Sequence, residues 1–437
     1  MRDGGRLAAA IDVLEDIETR HKPAKLALKS WGEASRFAGS KDRAWVSGLV
    51  LDALRRKRSL GWRMGEDSAR AVALGALRFA WKWPVDRIAE AAGEEPHGPG
   101  ALTEAEQTAL SADRGLDEAS PAVAGDYPDW LDASLARVFG DERGEEGAAL
   151  SARAPVDLRI NTLKTDPERG LKALAPLHAQ AGGVLATAAR IPAPEPSERA
   201  GAVETIPAFS KGWFEVQDLG SQIAASAAGD IKGKQVLDLC AGGGGKTLAM
   251  AAAMANTGQI FAYDADARRL ADTIRRGQRA GVRNLQIRSP VEKDPLRGLA
   301  ARMDLTFVDA PCTGSGTWRR QPDAKWRLTP QQLERRMAEQ DGVLDQAATF
   351  AKPGGRIVYV TCSLLAEENE DRLEAFLARN AAFVRRDALE AIAASGLATA
   401  DGLSQLAAFR TADGALRLTP RRAGTDGFFV AVLERAA

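Results

Sequence analysis

Residues 235–247 read Gln-Val-Leu-Asp-Leu-Cys-Ala-Gly-Gly-Gly-Gly-Lys-Thr and give the clearest indication of the fold. A short apolar run followed directly by four glycines predicts a buried parallel strand that turns tightly into a helix. Consecutive glycines let a ligand approach the backbone N–H groups at the start of that helix. The stretch therefore predicts an α/β domain that binds a small ligand at the carboxyl end of a strand.

Two familiar nucleotide-binding patterns fit this loop poorly. A P-loop needs a glycine five places before its Gly-Lys-Thr triplet, but position 240 is Cys. The dinucleotide pattern G-x-G-x-x-G, started from Gly242 and Gly244, needs a third glycine where Thr247 stands. Asp264 ends the next predicted strand, where a carboxylate can accept hydrogen bonds from ribose hydroxyls, although a helix cap is its ordinary alternative.

The chain from residue 230 onward repeats the order strand, turn, helix. Four apolar runs are typical of buried parallel strands: Gln235–Leu239, Gln259–Tyr263, Met303–Val308 and Arg356–Val360. Lys352-Pro-Gly-Gly is a stop signal for the helix that precedes the last run. We therefore expect residues 230–437 to form a Rossmann-like, doubly wound α/β domain.

The sequence before residue 230 divides into three parts. Apolar residues at helical spacing, beginning with Leu7 and Ile11, predict an all-helical domain over residues 1–92. Residues 93–126 are rich in Gly, Pro and acidic side chains, as in a linker. Residues 127–229 combine helical spacing with an alternating strand, which predicts a small α+β module.

The charge of the chain is balanced as a whole but not locally. The 437 residues carry 59 Lys and Arg against 59 Asp and Glu, which at face value argues against a nucleic-acid partner. Residues 1–90, however, have a net charge of +6, residues 91–150 of −11 and the remainder of +5. An acidic segment thus cancels two basic parts, and the total charge does not exclude RNA.

Cysteine usage and hydropathy restrict the class of protein further. The three cysteines form no CxxC pair, and the three histidines lie far from them in sequence, so we expect neither a disulfide framework nor a metal site. The sequence has no secretory signal and no apolar run near the ~18 residues that span a bilayer. We expect a cytoplasmic monomer without a membrane partner.

Two of the cysteines follow predicted strands of one sheet. Cys312 lies in Val308-Asp-Ala-Pro-Cys-Thr-Gly-Ser-Gly, and Cys362 lies in Tyr359-Val-Thr-Cys-Ser. One such cysteine is more often an inert buried residue, but two beside Asp309 and a glycine-rich loop favour chemistry. A thiolate nucleophile, a carboxyl group and a second thiol suit attack on an electron-poor ring. The residues alone leave open which cysteine attacks.

Four segments carry a resemblance to one family: Cys240-Ala-Gly-Gly-Gly-Gly-Lys-Thr, Asp309-Ala-Pro-Cys-Thr-Gly-Ser-Gly-Thr-Trp-Arg-Arg-Gln-Pro-Asp-Ala-Lys-Trp, Thr361-Cys-Ser-Leu-Leu-Ala-Glu-Glu-Asn-Glu and Asp426-Gly-Phe-Phe-Val-Ala. They resemble the RsmB/Sun (Fmu) branch of the RNA cytosine-5 methyltransferases. Ala154-Pro-Val-Asp-Leu-Arg-Ile-Asn is similar to the RNA-binding module of that family, and the helical head is similar to its NusB-like domain. The resemblance implies small-subunit (16S) ribosomal RNA as the substrate.

The resemblance also implies S-adenosylmethionine as the cofactor. The residues that would cradle it are Cys240, Ala241, Gly242, Gly243, Gly244, Gly245 and Lys246. Asp264 would hold the ribose, and Asp309 would lie between the cofactor and the base.

The same resemblance assigns the catalytic roles. Cys362 would be the nucleophile that adds to C6 of a cytosine, and Asp309 would stabilise the protonated N3 side of the ring. Cys312 would assist loss of the C5 proton and release of the enzyme. Residues 367–369, Glu-Glu-Asn, open the helix after the nucleophile, and we expect them to cap its first turn.

Two positions depart from the family pattern. Gly243 stands where the family usually has Pro, and Ser289 stands where it usually has an acidic residue that contacts the adenine side. The Ser289 hydroxyl can still hydrogen-bond the base edge. This departure supports one alternative, an RNA-binding protein of the same fold with weak or no catalysis. An exocyclic amino methyltransferase would instead have a D/N-P-P-Y/F strand end, which Asp309-Ala-Pro-Cys does not match.

A cytosine inside a duplex is out of reach of a thiol, so the target should be single-stranded or flipped out of its stack. Three residues in and after a predicted strand could contact phosphate or ribose, with a solvated strand face as the alternative: Arg159, Asn161 and Lys164. A second set, directly after the catalytic loop, interleaves aromatic and cationic residues as RNA stacking requires: Trp318, Arg319, Arg320, Lys325 and Trp326.

Overall fold

The computed structural model describes residues 1–112, 114–195 and 202–437. The α-helices, in chain order, are α1 (Asp3–Arg20), α2 (Ala24–Ala34), α3 (Ser40–Arg55), α4 (Lys57–Met64), α5 (Ala69–Gly75), α6 (Val85–Ala92), α7 (Glu104–Ser111), α8 (Pro121–Ala124), α9 (Asp132–Phe139), α10 (Arg143–Leu150), α11 (Pro167–Ala173), α12 (Pro207–Ser210), α13 (Leu219–Ser226), α14 (Gly245–Ala253), α15 (Ala267–Ala280), α16 (Pro322–Arg327), α17 (Pro330–Phe350), α18 (Glu370–Arg379), α19 (Ala388–Ala394), α20 (Ala400–Ala407) and α21 (Pro420–Ala423). The strands are β1 (Val156–Ile160), β2 (Gln180–Ala181), β3 (Ala188–Ile191), β4 (Phe214–Val216), β5 (Gln235–Asp238), β6 (Gln259–Tyr263), β7 (Leu285–Arg288), β8 (Met303–Asp309), β9 (Ala351–Thr361), β10 (Phe383–Arg386), β11 (Leu416–Leu418) and β12 (Phe428–Arg435).

These elements form two compact units. The first consists mainly of Met1–Ala154 together with Trp318–Leu328, and the second contains Pro155–Pro192 and most of the chain from residue 202 onward. Within the described ranges, no helix combines the length and the apolar character that crossing a membrane requires.

The first unit is helical, as the spacing of its apolar residues predicts. Leu7 and Leu14 of α1 and Leu49 of α3 are among its most deeply buried side chains. Helix α7 forms inside the segment whose composition is typical of a linker, because Thr103 and Glu106 make a capping box and Leu110 joins the core. The acidic segment is therefore partly ordered against the helical core.

The second unit contains two sheets. Strands β2, β3, β1 and β4 form a small antiparallel sheet in that order. The large sheet has the order β10-β12-β9-β8-β5-β6-β7, with β11 beside β12. Its strands from β9 to β7 run parallel, and β12 pairs antiparallel with β9. All four predicted apolar runs lie in this parallel region.

Both faces of the large sheet are buried, which explains why its strands are apolar without alternation. Along β5, Val236 belongs to one hydrophobic core and Leu237 to the other. Along β9, Val358 and Tyr359 divide between the same two cores. This arrangement confirms the predicted Rossmann-like, doubly wound α/β class.

The topology places the candidate site at one edge of the sheet. Strand β5 lies between β6 and β8, so the chain order reverses there, and ligands of such sheets bind at the carboxyl ends of the strands beside this point. Asp238, Asp264, Asp309 and Cys362 lie at the carboxyl ends of β5, β6, β8 and β9, and Ser289 directly follows β7. Parallel pairing brings all of these ends to the same edge.

Candidate active site

The glycine-rich loop needs its glycines at two positions in particular. Gly242 and Gly244 have φ values of 55° and 82°, in the left-handed region that side chains rarely adopt. A Cβ atom at Gly244 would lie 2.8 Å from the Thr273 hydroxyl oxygen, whereas one at Gly243 would meet only an Arg276 nitrogen at 3.5 Å. The Gly243 position is thus sterically open.

Asp264 holds the loop in place. Its Oδ2 accepts a hydrogen bond from the Gly242 backbone N–H at 2.8 Å, and its Oδ1 accepts one from the Asp266 N–H at 2.9 Å. Arg269 lies 3.5 Å from Oδ2. Because a carboxylate offers about four lone-pair sites, the residue can bind the loop and still accept a hydrogen bond from a ligand hydroxyl.

Asp238 is a buried carboxylate that sequence patterns did not single out. The Thr247 hydroxyl donates to its Oδ2 at 2.6 Å, while Oδ1 is buried and has no hydrogen-bond partner. Burial raises the pKa of Asp238 to about 7, and the nearby charges of Asp309 and Asp264 act in the same direction. A carboxylate at the end of the strand before a glycine-rich loop could have signalled this position.

The charges at this edge fit S-adenosylmethionine. Three carboxylates, those of Asp238, Asp264 and Asp309, lie close enough to interact electrostatically. Such a cluster favours a ligand with cationic groups, and S-adenosylmethionine carries a sulfonium and an ammonium. The unpartnered Asp238 oxygen and the open backbone at the start of α14 offer polar groups to such a ligand.

Lys246 pairs with Asp309 inside the site. The Lys246 Nζ donates to Asp309 Oδ2 at 2.7 Å and lies 5.2 Å from the centre of the Phe428 ring. Burial alone would lower the pKa of Lys246, but the attraction and hydrogen bond of Asp309 raise it, and the charge of Cys362 contributes to the rise. Lys246 is therefore a buried ammonium group.

The two cysteines at the strand ends are brought together. The sulfur atoms of Cys312 and Cys362 lie 3.4 Å apart, within hydrogen-bond distance for sulfur. This hydrogen bond, together with burial, raises the pKa of the Cys312 thiol well above its usual value. Cys240 lies in the glycine-rich loop, where burial raises the pKa of its thiol.

Three chain segments interlock around these sulfurs. The Gly316 N–H donates to the Cys362 carbonyl at 2.9 Å, and the Gly427 N–H donates to the Gly316 carbonyl at 2.8 Å. A Cβ atom at Gly316 would lie 2.2 Å from the Gly427 oxygen, so only glycine permits this approach. The packing explains why Asp426-Gly-Phe-Phe, remote in sequence, belongs with the cysteine motifs: Gly427 meets the loop and Phe428 meets Lys246.

Glu368 and Asn369 have roles other than the expected helix capping. Helix α18 begins only at Glu370. The Glu368 carboxylate accepts hydrogen bonds from Thr313, and Asn369 binds on either side of Cys362 by accepting from the Thr361 hydroxyl and donating to the Ser363 carbonyl. Sequence reasoning missed the contact of Glu368 with Thr313 because 55 residues separate the two.

The structure gives structural roles to two residues of the module proposed to contact RNA. Arg159 is buried and donates to the Gln217 side chain at 2.8 Å. Asn161 is buried and donates to the carbonyls of Gly212 and Ala280, both at 2.8 Å. These contacts correct the expectation that Arg159 and Asn161 face RNA, whereas Lys164 is exposed.

The aromatic and cationic residues after the catalytic loop pack inside the helical unit. Trp318, Arg319 and Lys325 are 1%, 4% and 1% exposed. The Lys325 Nζ donates to the Arg55 carbonyl at 2.6 Å, and the half-buried Trp326 donates to the Leu54 carbonyl at 2.7 Å. These residues therefore act here as packing and hydrogen-bonding groups, not as a stacking surface for RNA.

Two further residues predicted to contact a ligand have intermediate burial. Ser289 is half-buried after β7, and Arg320 is half-buried in the helical unit. Over the described part of the chain, no group of three histidine, cysteine or acidic side chains is arranged to hold a metal ion.

Comparison with known proteins identifies the family. Residues 229–434 match the family described as 16S rRNA methyltransferase RsmB/F. The chain is 30% identical over 418 residues to ribosomal RNA small subunit methyltransferase B of Xanthomonas campestris, covering 91% of this chain and 90% of the relative. A probable ribosomal RNA small subunit methyltransferase B of Synechocystis is 32% identical over 319 residues, 71% of this chain and 67% of the relative.

A solved structure confirms the fold independently. The methyltransferase homologue protein of Pyrococcus horikoshii superposes with a TM-score of 0.58 and 24% identity, covering 72% of this chain and 97% of that one. The sequence relatives and the family match place the chain in the RsmB/F family of rRNA methyltransferases, whose methyl donor is S-adenosylmethionine.

Proposed function

We propose that the protein methylates C5 of a cytosine in small-subunit ribosomal RNA, with Cys362 as the nucleophile. The observation that carries this proposal is the 3.4 Å separation of the Cys312 and Cys362 sulfurs at the strand edge that also holds Asp309. Two thiols and a carboxyl group suit addition to a pyrimidine ring followed by elimination. The names of the sequence relatives support ribosomal RNA as the substrate.

The cofactor would be held by the loop from Cys240 to Lys246 and by Asp264, with Asp238 and Asp309 facing its cationic groups. When bound, S-adenosylmethionine supplies an electrophilic methyl group. The residues of the loop orient it through backbone N–H groups at the start of α14.

The chain's own groups perform the remaining chemistry. The Cys362 thiolate adds to C6 of the cytosine, and the electron pair displaced from the C5–C6 bond makes C5 nucleophilic. Once C5 carries the methyl group, the C5 proton leaves to water, the C5–C6 double bond re-forms and the C6–sulfur bond breaks, with the Cys312 thiol assisting these steps beside the departing Cys362 sulfur. This sequence restores the ring and returns Cys362 as a thiolate.

Lys246 and Asp309 support the addition step. The Lys246 ammonium interacts electrostatically with both Asp309 and Cys362. Lys246 also fixes Asp309 Oδ2 by a 2.7 Å hydrogen bond, and the Asp309 side chain remains 34% exposed. A fixed and accessible carboxyl group can hydrogen-bond the N3 side of the ring as charge develops there.

Bisulfite sequencing of ribosomal RNA from cells with and without the gene tests the proposal. We expect one or more cytosines of the small-subunit RNA to be protected only when the gene is present. An unchanged protection pattern would contradict the proposal. Calorimetry with S-adenosylmethionine then separates an enzyme from an RNA-binding protein of the same fold, since the latter would show no cofactor binding.

A further inference from the structure

One buried carboxylate lies between the two loops that carry the cysteines. Glu368 is fully buried. Its Oε1 accepts a hydrogen bond from the Thr313 N–H at 2.8 Å, and its Oε2 accepts one from the Thr313 hydroxyl at 2.5 Å. Thr313 directly follows Cys312, and Glu368 itself lies six residues after Cys362. A single side chain therefore links the loop of one cysteine to the loop of the other.

A second side chain completes the arrangement. The Gln340 Nε2 of α17 donates to Glu368 Oε1 at 3.1 Å and to the Pro311 carbonyl at 2.8 Å. The residues before and after Cys312 are thus both fixed from the same side. We call Glu368 and Gln340 the loop clamp.

Cys362 depends less on this clamp than Cys312 does. Asn369 accepts a hydrogen bond from the Thr361 hydroxyl at 2.5 Å and donates to the Ser363 carbonyl at 3.0 Å, so it holds the nucleophile's loop from both sides. The Cys312 loop continues through Gly314, whose φ of 72° suits a turn with little stiffness of its own. Loss of the clamp should therefore displace Cys312 first.

We propose that Glu368 is a positioning residue for product release, which it serves by fixing the Cys312 sulfur through Thr313. This inference rests on the proposed function, because Cys312 is there the group that assists loss of the C5 proton and release of the enzyme. A displacement of about 1 Å in a reacting group can cost about a hundredfold in rate. Without Glu368, addition and methyl transfer proceed but elimination slows, and the covalent RNA adduct accumulates.

The test compares Glu368→Ala and Glu368→Gln with a matched control, Glu374→Gln, on the exposed face of α18. We expect Glu368→Ala to lower kcat by about tenfold or more while KM for RNA stays within about twofold. The covalent protein–RNA adduct should also accumulate on ordinary cytosine RNA. Glutamine keeps the shape and can still accept from the Thr313 N–H, so Glu368→Gln should recover most of the rate. Release by Glu368→Ala at the wild-type rate, or a glutamine variant no better than alanine, would overturn the inference.

A second variant covers the case in which Glu368→Ala does not fold. Thr313→Val preserves side-chain shape and removes only the hydroxyl contact, so it should slow release by about threefold. Where both single variants fold, the double variant Glu368→Ala/Thr313→Val should show a smaller loss in release rate than the losses of the two single variants combined. Both changes break the same contact, so their effects should not add. Normal release by Thr313→Val, or additive effects in the double variant, contradicts the inference.

If the wild-type protein forms no adduct with 5-fluorocytosine RNA, the proposed function fails, whereas a wild-type adduct with normal release by Glu368→Ala overturns this inference alone.

Discussion

The sulfur atoms of Cys312 and Cys362 lie 3.4 Å apart although 50 residues separate them in sequence. Parallel pairing of β8 with β9 produces this proximity, because each cysteine lies just beyond the carboxyl end of its strand. One sulfur can therefore contact one atom of a substrate ring while the other sulfur contacts a neighbouring atom of the same ring.

The two cysteines should give opposite results when each is replaced. Cys362→Ala removes the proposed nucleophile, so we expect neither methyl transfer nor a covalent complex. Cys312→Ala leaves addition intact but removes the group that assists elimination, so a protein–RNA adduct should persist on ordinary cytosine RNA. Denaturing gels of protein mixed with labelled RNA and cofactor distinguish these outcomes, and full turnover by the Cys362 variant would contradict the assignment.

Replacing Lys246 should slow adduct formation. Lys246→Met removes the ammonium that pairs with Asp309 and interacts electrostatically with Cys362. We expect the rate of adduct formation at neutral pH to fall by about tenfold or more, because Asp309 loses the hydrogen bond that fixes it beside the ring. Lys232→Met, at an exposed position before β5, is the control and should react at the wild-type rate. Equal rates for both variants would argue against the role of Lys246.

The glycine-rich loop offers a matched pair of variants. Gly244→Ala forces a side chain into left-handed backbone beside Thr273, so we expect a loss of about 1–3 kcal/mol in stability and weaker cofactor binding. Gly243→Ala adds its Cβ where the nearest atom is 3.5 Å away, so binding should be unchanged. Thermal unfolding and calorimetry with S-adenosylmethionine measure both effects, and similar losses in the two variants would disagree with this geometry.

The raised pKa of Asp238 predicts that the stability of the protein falls as the pH rises. Because its pKa rises from 3.8 to about 7 on folding, the folded protein binds more protons than the unfolded chain between these values. The free energy of unfolding therefore falls as pH rises through this window, by up to about 1.4 kcal/mol per pH unit. In cofactor-free protein, Asp238→Asn should reduce the difference in Tm between pH 5 and pH 8, and the exposed control Asp294→Asn should not.

Replacing the exposed Lys164 and the buried Lys325 should affect RNA binding differently. Lys164→Met should weaken RNA binding and reduce the salt slope by about one, because Lys164 is exposed on the small module. Lys325→Met should leave RNA affinity within about twofold, since burial that lowers its pKa to about 7 also hides it from solvent. Filter binding over a range of salt concentrations measures both, and a larger loss for Lys325→Met would contradict the structural role.

Local patterns in the sequence predicted the parts of the fold that local physics determines. Buried parallel strands need unbroken apolar runs, and a strand-to-helix turn around a ligand needs glycine, so residues 235–247 indicated both the sheet and the cofactor loop. The contact of Gly427 with Gly316 depends on how distant segments fold together, and spacing alone carries no sign of it.

The sequence pattern predicts RNA contacts for Lys325 and Trp318 because it carries no information about burial. Alternating aromatic and cationic residues have the same pattern whether they stack on RNA or pack in a core, and only burial distinguishes these cases. Glu368 is a further example. A carboxylate near the start of a helix is predicted to cap that helix, and only the folded protein shows that Glu368 binds Thr313 instead.

Mapping the covalent complex shows which cysteine attacks the RNA. Wild-type protein is incubated with S-adenosylmethionine and small-subunit RNA containing 5-fluorocytosine, digested, and the crosslinked peptide is sequenced by mass spectrometry. We expect a single crosslink, from the sulfur of Cys362 to C6 of a pyrimidine that carries a methyl group on C5. A crosslink to Cys312, or methylated RNA with no crosslink to either cysteine, would contradict this expectation.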